Sequence, residues 1–139
     1  MTKEWPERLI LVGAGKMGGA MAAGWLEGGF LPSSLTILEP HPSDDLTRLA
    51  AARGVAVNPS SAAPTDVLAL AVKPQALDSV APQIAALAGE RTLILSILAG
   101  KTIANLRARL PGARAVVRAD VSYSRLSITG SFPKLTGFA

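Results

Sequence analysis

The chain has 139 residues, 49% of them hydrophobic and 4% aromatic, and a net charge of +4, which is enough apolar material for the core of one domain. It has no cysteine, which excludes disulfides and thiolate chemistry, and a single histidine, His41, so we expect no metal site. No apolar run approaches the ~20 residues of a membrane span, and no secretory signal pattern opens the chain, so we expect a cytoplasmic protein that makes no membrane contact.

The first predicted strand, Leu9–Val12, leads directly into the pattern Gly13-x-Gly15-x-x-Gly18. In such a pattern the first glycine permits a tight turn, the second lets a pyrophosphate approach the backbone, and the third lets the next helix pack closely on the sheet. That helix is predicted over Lys16–Glu27, and its first amides would face the anion. Its apolar stripe consists of Met17, Ala20, Met21, Gly24 and Trp25. We predict dinucleotide binding, with an ordinary strand-to-helix turn as the alternative.

Strands and helices alternate along the rest of the chain. Further strands are predicted over residues 35–38, 55–57, 66–72, 92–98 and 113–118. Helices are predicted from Ser43 to Gly54, from Leu77 to Leu87 with a kink or a new start at Pro82, and from a Thr102 cap to Leu110. Runs 66–72 and 92–98 are almost entirely apolar, as in strands covered on both faces. This pattern predicts an α/β fold, a Rossmann-type doubly wound parallel sheet in a single domain.

The composition changes at residue 120. The segment DVSYSRLSITGSFPKLTGFA holds four serines, two threonines and three of the six aromatic residues. We therefore predict a dinucleotide-binding domain over residues 1–119 and an atypical tail over 120–139, in which Leu126 and Ile128 would give one extra strand. A truncation, a frameshifted end or an appended segment would each explain the change.

Positive charge is concentrated toward the end of the chain. Residues 1–100 carry seven Lys/Arg against nine Asp/Glu, a net charge of −2, whereas residues 101–139 carry seven against one, a net charge of +6. Nucleic-acid binding would require a basic stripe interleaved with aromatic residues. The arginines at 107, 109, 114 and 118 fall instead across a helix, a turn and a strand, so we interpret them as a solvated or partner-facing surface and expect no nucleic-acid partner.

Glu39 is the first candidate for a residue that determines selectivity between NAD and NADP. It follows the second strand, 21 residues beyond Gly18, close to the ~20 expected for the acid that bonds an adenosine ribose hydroxyl. A carboxylate there would repel a 2′-phosphate and favour NAD. The alternative is that Glu39 is only a solvated acid at a strand end. His41 and Ser43 nearby could also bind a phosphate. The choice between NADP and NAD as cofactor therefore stays open.

Two later strand ends border the same crevice, because ligands of open parallel sheets bind outside the carboxyl ends of the strands. These are residues 71–75 and 96–100. Lys73 invites a catalytic role, although a surface lysine, or one that contacts the cofactor through its backbone, is the reading we favour. Asp66 begins a predicted strand, so it lies at the edge of the sheet opposite to this crevice. We therefore predict no catalytic residue.

Four segments together resemble a known family. VGAGKMGGAMAAGW, AVKPQ, SILAG followed by a Thr-Ile-x-x-Leu helix, and ARAVVRA occur in an order and spacing similar to the cofactor domain of pyrroline-5-carboxylate reductases. The resemblance covers roughly residues 8 to 119. It implies reduction of a small-molecule imine, 1-pyrroline-5-carboxylate, to L-proline with NAD(P)H, the last step of proline biosynthesis.

The resemblance also implies roles for particular residues. The pyrophosphate would be held by the loop Gly13, Ala14, Gly15, Lys16, Met17 and Gly18. The ribose and nicotinamide would be lined by Ala71, Val72, Lys73 and Pro74, with Ala99 and Gly100 flanking the ring. Asn58 is the candidate for an asparagine that contacts the adenosine.

The chain also departs from the family. Where the family has the loop Met-Pro-Asn-Thr-Pro, this chain has Asp120-Val-Ser-Tyr-Ser, and it lacks the helical domain that forms the family's homo-oligomer and binds the substrate carboxylate. Three interpretations follow: the cofactor half of a pyrroline-5-carboxylate reductase, inactive alone; a related imine or hydroxyacid reductase; or a non-catalytic dinucleotide-binding module. We adopt the first. Turnover of the cyclic imine would separate the first two, and cofactor binding without turnover would favour the third.

Overall fold

The computed structural model describes residues 6–60, 63–98, 101–122 and 125–131, with side chains as far as residue 118. Its strands are β1 (Leu9–Val12), β2 (Leu35–Leu38), β3 (Ala56–Val57), β4 (Val67–Leu70), β5 (Leu93–Ser96), β6 (Ala115–Ser122) and β7 (Arg125–Ser131). Its α-helices are α1 (Lys16–Glu27), α2 (Asp44–Arg53), α3 (Leu77–Ile84) and α4 (Ile103–Arg109), and single 3₁₀ turns lie at Pro32–Ser34, Pro74–Ala76 and Ala85–Leu87.

All seven strands form one sheet in the order β3-β2-β1-β4-β5-β6-β7. The first six are parallel, with Leu9 opposite both Leu35 and Val67, and Val67 opposite Leu93. The predicted doubly wound parallel sheet is confirmed, including the parallel pairing of the two apolar runs. The chain winds outward in one direction from β1 to β3 and in the other from β4 to β6, so the topological switch point lies between β1 and β4.

Helices cover both faces of the sheet and divide the core into two layers. Ile10, Leu68 and Ile94 pack with Leu77 of α3 and Leu106 of α4. Neighbouring residues of a strand point to opposite faces of the sheet. On the second face, the alternate strand residues therefore pack against α1 and α2. Members of this second layer include Leu9, Leu11, Leu35, Ala69, Ala22, Leu26, Leu46 and Ala50. Every residue of β1 and β4 is buried, which explains why run 66–72 does not alternate.

The predicted helix boundaries rest on caps that the structure contains. The Ser43 hydroxyl accepts a hydrogen bond from the Leu46 amide (3.1 Å), and α2 ends at Gly54 in the left-handed conformation, with φ +77°. Thr102 and Asn105 form a capping box at the start of α4. These boundaries are therefore confirmed.

The apolar stripe predicted for α1 is not the face that α1 buries. The buried residues are Gly18, Ala22 and Leu26, one position further along the helix, whereas Met17 is 49% exposed. Close packing explains the difference, because small residues at the contact let the helix axis approach the sheet. The larger side chains then lie beside the contact.

No new helix begins at Pro82, contrary to one of the two outcomes we expected there. The helix α3 runs through Pro82, and a 3₁₀ turn follows it at Ala85–Leu87. Burial of Leu77, Ala81 and Ile84 holds the eight residues helical around the proline.

Arg109 of α4 donates a hydrogen bond to the carboxylate of Asp78 on α3, which lowers the pKa of Asp78 below its ordinary value.

The sheet continues across the predicted boundary between residues 119 and 120, which falls inside β6. The following strand β7 contains Leu126 and Ile128 and pairs antiparallel with β6, from Val116 opposite Ser131 to Ser122 opposite Arg125. The division into a domain and a tail stays a prediction.

Gly18→Ala should destabilise the fold, and Gly24→Ala should stabilise it. A Cβ at Gly18 would lie 2.4 Å from the Gly13 carbonyl oxygen, whereas one at Gly24 meets nothing within 4 Å. Overpacking costs roughly 1–3 kcal/mol, and alanine is better than glycine in a helix by up to ~1 kcal/mol. Urea unfolding of both variants measures the difference, and equal midpoints would contradict the close packing of α1.

Candidate functional site

Three strand ends meet at the carboxyl edge of the sheet. Val12 of β1 is level with Leu38 of β2 and Leu70 of β4. The Gly13 amide donates to the Leu38 carbonyl (2.8 Å), and the Ala71 amide donates to the Val12 carbonyl (2.8 Å). The loops that follow these strands are therefore neighbours at the topological switch point, where open α/β sheets bind ligands.

The three glycines of the loop have different surroundings. Gly13 has φ +89°, and a Cβ there would lie 2.7 Å from the Val72 amide nitrogen; Gly18 is equally closed. Gly15 is exposed, and a Cβ there would meet nothing within 4 Å. Two glycines thus allow the backbone to pack, and the third leaves space in front of it, as the sequence pattern predicts for a loop that admits a pyrophosphate.

The first turn of α1 favours an anion. Gly15 is its N-cap and provides no side-chain cap, and the first turn contains no acidic residue. Lys16 and Met17, which begin the helix, are both exposed. The helix amides and the positive end of the helix dipole are therefore presented to the open side of Gly15.

Glu39 lies against the glycine loop. Its Oε1 accepts a hydrogen bond from the Ala14 amide (2.9 Å), and its Oε2 accepts one from the His41 amide (3.1 Å). The residue is half-buried. The alternative of a carboxylate held only by water at a strand end does not describe this geometry.

Asn58 lies beside the backbone of Glu39. Its Oδ1 accepts from the Glu39 amide (2.9 Å), and its Nδ2 donates to the Glu39 carbonyl (2.7 Å). Asn58 has φ +50°, a left-handed conformation that asparagine tolerates better than most residues. The carboxamide that we expected to contact the adenosine is thus bonded to the protein itself.

Two clefts meet at the exposed glycine. One, of about 490 Å³, lies toward α2 and is lined by Ala14, Lys16, His41, Ser43 and Leu46 among others. The second, of about 390 Å³, lies toward β4 and is lined by Gly13, Ala71, Val72, Lys73 and Gln75 among others. Gly15, Glu39 and His41 line both. A dinucleotide has the matching form, two nucleosides joined by a pyrophosphate.

Lys73 is exposed at the end of the β4 loop. Its carbonyl accepts from the Ala76 amide (2.8 Å), and Pro74 opens a 3₁₀ turn that leads into α3. Gln75, which belongs to the segment expected to border the crevice but received no role there, also lines the second cleft. Its place immediately after a predicted strand end was the available signal. Ala99 and Gly100 lie outside the described residues.

Asp66 lies at the opposite edge, where its carboxylate accepts a hydrogen bond from the Arg8 amide (3.0 Å). A third cleft of about 310 Å³ lies at that edge, around Arg8 and Thr65.

Within the described part of the chain, no three His, Asp or Glu side chains come together to hold a metal ion. No helix in that same part is long and apolar enough to cross a membrane.

Curated relatives share the name that the sequence motifs suggest. The pyrroline-5-carboxylate reductase of Pasteurella multocida is 32% identical over 119 residues, covering 79% of this chain and 42% of the relative. That of Synechocystis is 36% identical over 117 residues, covering 81% and 42%. The predicted resemblance is confirmed, and the chain spans less than half the length of these relatives.

Solved structures confirm the fold. A pyrroline-5-carboxylate reductase from Coxiella burnetii has a TM-score of 0.71 at 23% identity, covering 83% of this chain and 44% of that one. A Plasmodium falciparum pyrroline carboxylate reductase with NADP bound has a TM-score of 0.65 at 21% identity, covering 86% and 43%. At these identities the likeness concerns the fold alone.

A family model described as "NADP oxidoreductase coenzyme F420-dependent" matches residues 8–100, which is about two-thirds of the chain and includes β1 to β5 with the glycine loop and Glu39. The chain belongs to this family of NADP oxidoreductases.

Proposed function

We propose that this chain is the dinucleotide-binding part of a pyrroline-5-carboxylate reductase, which reduces 1-pyrroline-5-carboxylate to L-proline in proline biosynthesis. The observation that carries the proposal is the open face of Gly15 between two clefts. The curated relatives, 32% and 36% identical, support the choice of reaction. Because the chain spans 42% of each relative, substrate and homo-oligomer contacts are assigned to the part of the reductase that this chain does not cover.

The residues of this chain would bind and orient the cofactor. The Gly13–Gly18 loop and the start of α1 would hold the pyrophosphate, with Ala14, Lys16 and Met17 between the glycines. A bound NAD(P)H would supply the hydride that reduces the imine carbon. The small side chains of Ala71 and Val72, with Lys73 and Pro74 beside them, would leave room for the nicotinamide half against the β4 loop. Ala99 and Gly100 would flank the nicotinamide ring.

The chain itself would supply placement and exclusion of water, without a proton donor. Asp66, the acid just before β4, accepts a hydrogen bond from the Arg8 amide at the other edge of the sheet. Lys73 is exposed beside the second cleft, as expected for a surface lysine. We therefore assign no catalytic residue within this chain.

Gly15→Val should abolish cofactor binding and leave the fold intact. The added side chain meets no protein atom within 4 Å, but it would occupy the place of the pyrophosphate. We expect NADH and NADPH to bind at least tenfold more weakly, which corresponds to ~1.4 kcal/mol, in calorimetric titrations. Gly24→Val adds the same side chain to an open position of the same helix and should bind as the unmodified chain does. Equal affinity of the two variants would mean that the loop is only a turn.

Glu39 should make NADH the tighter ligand. Its carboxylate can accept hydrogen bonds from a ribose diol and would repel a 2′-phosphate, and Glu39→Ser should narrow or reverse the difference in dissociation constants. His41 and Ser43 could instead receive a 2′-phosphate. His41→Ala distinguishes these possibilities, since it should leave the NADPH affinity unchanged if Glu39 decides. Tighter NADPH binding by the unmodified chain would refute this assignment.

This chain alone should reduce the cyclic imine slowly or not at all, even with saturating cofactor. Orienting the reacting groups can account for ~7–11 kcal/mol of a barrier, and the resemblance assigns the substrate carboxylate to the part of the relatives that these 139 residues do not match. The loss of NAD(P)H absorbance and the formation of L-proline measure the rate, with Gly15→Val as the background. Proline formation at a rate typical of enzymes would show that the rest of the reductase is dispensable.

A further inference from the structure

Asn58 extends the pairing of β2 and β3 by means of its side chain. The backbone ladder between the strands ends at Ile37 opposite Val57, and the Asn58 amide still donates to the Ile37 carbonyl (2.8 Å). At Asn58 the backbone turns away with φ +50°. Its carboxamide then makes the next two hydrogen bonds, accepting from the Glu39 amide and donating to the Glu39 carbonyl.

Glu39 is consequently held at both of its ends. The Asn58 carboxamide fixes its backbone amide and carbonyl, and the Ala14 and His41 amides fix its two carboxylate oxygens. Rotation of the Glu39 peptide groups would move the carboxylate away from the glycine loop. Asn58 thus holds the backbone of the residue that lines both clefts.

We propose that Asn58 is a positioning residue that sets the choice between NADH and NADPH by holding Glu39. This inference rests on the proposed function, since it concerns the same dinucleotide site. It is an alternative to the expectation that Asn58 contacts the adenosine directly, and it assigns the carboxamide the two bonds to Glu39 that the structure contains. A residue that acts through the Glu39 carboxylate changes the ratio of the two affinities, whereas a direct adenosine contact changes both affinities equally.

Two variants remove the contact in different ways. Asn58→Gly keeps the left-handed backbone without strain and removes the carboxamide. Asn58→Asp keeps the size and the acceptor but places a carboxylate oxygen against the Glu39 carbonyl. Val57→Ala is the control, since it weakens the same edge of the sheet, where Val57 packs against the core, and leaves the carboxamide in place.

The test is a double-mutant cycle with Glu39→Ser, read as the ratio of the NADPH and NADH dissociation constants. We expect Asn58→Gly and Asn58→Asp to lower the preference for NADH at least about threefold, within the range of coupling between contacting residues. Neither should change the ratio in the Glu39→Ser background. Val57→Ala should lower the unfolding midpoint and leave the ratio unchanged.

Three outcomes would overturn the inference. Equal weakening of both ligands by Asn58→Gly would restore the direct adenosine contact. The same change of ratio in the Glu39→Ser background would show that Asn58 does not act through Glu39. If the unmodified chain bound neither dinucleotide, the proposed function itself would fail and this inference with it, which distinguishes that failure from the other two.

Discussion

Gly13 turns the chain out of β1 in a conformation with φ +89°, at a point where a Cβ would lie within 3 Å of the backbone of Ala71 and Val72, just after β4. The carbonyl of Gly13 in turn lies so close to Gly18 that a side chain there would collide with it. This close approach of loop, strand end and helix aims the start of α1 at the crevice between β1 and β4. The positions of Gly15, Ala14 and Glu39 relative to one another follow from it.

Much of this architecture follows from local rules in the sequence. The apolar runs 66–72 and 92–98 indicate strands buried on both faces, and Ser43, Gly54 and Thr102 indicate helix ends that depend only on neighbouring residues. The order of strands follows from the right-handed crossover of βα units. Glu39 could be selected because its distance from the glycine loop is set by the length of one helix and one strand.

Other features depend on contacts between distant residues, which a single sequence does not display. The buried face of α1 is decided by how closely Gly18 approaches Gly13, so a stripe chosen by helical spacing alone is wrong by one position. The continuation of α3 through Pro82 depends on burial of the residues around it. The role of Asn58 depends on a left-handed backbone at the end of a two-residue edge strand, and composition gives no sign of it.

The carboxylate that follows β2 bears on which cofactor the site would take. The family is described as NADP oxidoreductases, and a similar structure carries NADP, yet Glu39 places a carboxylate against the glycine loop. A carboxylate in that position opposes a 2′-phosphate. The proposed preference for NADH therefore depends on this one side chain and the contacts that orient it, and the rest of the fold admits either cofactor.

The most direct test of the account is a nuclear magnetic resonance titration of the chain with NADH, observing each backbone amide. If the dinucleotide binds at the topological switch point, the amide resonances of Gly15, Lys16 and Gly18, and those at the strand ends around Glu39 and Val72, should shift. The amide resonances of Arg8 and Thr65, at the opposite edge of the sheet, should not shift. Shifts confined to that opposite edge, or none at the glycine loop, would contradict the assignment of the dinucleotide site.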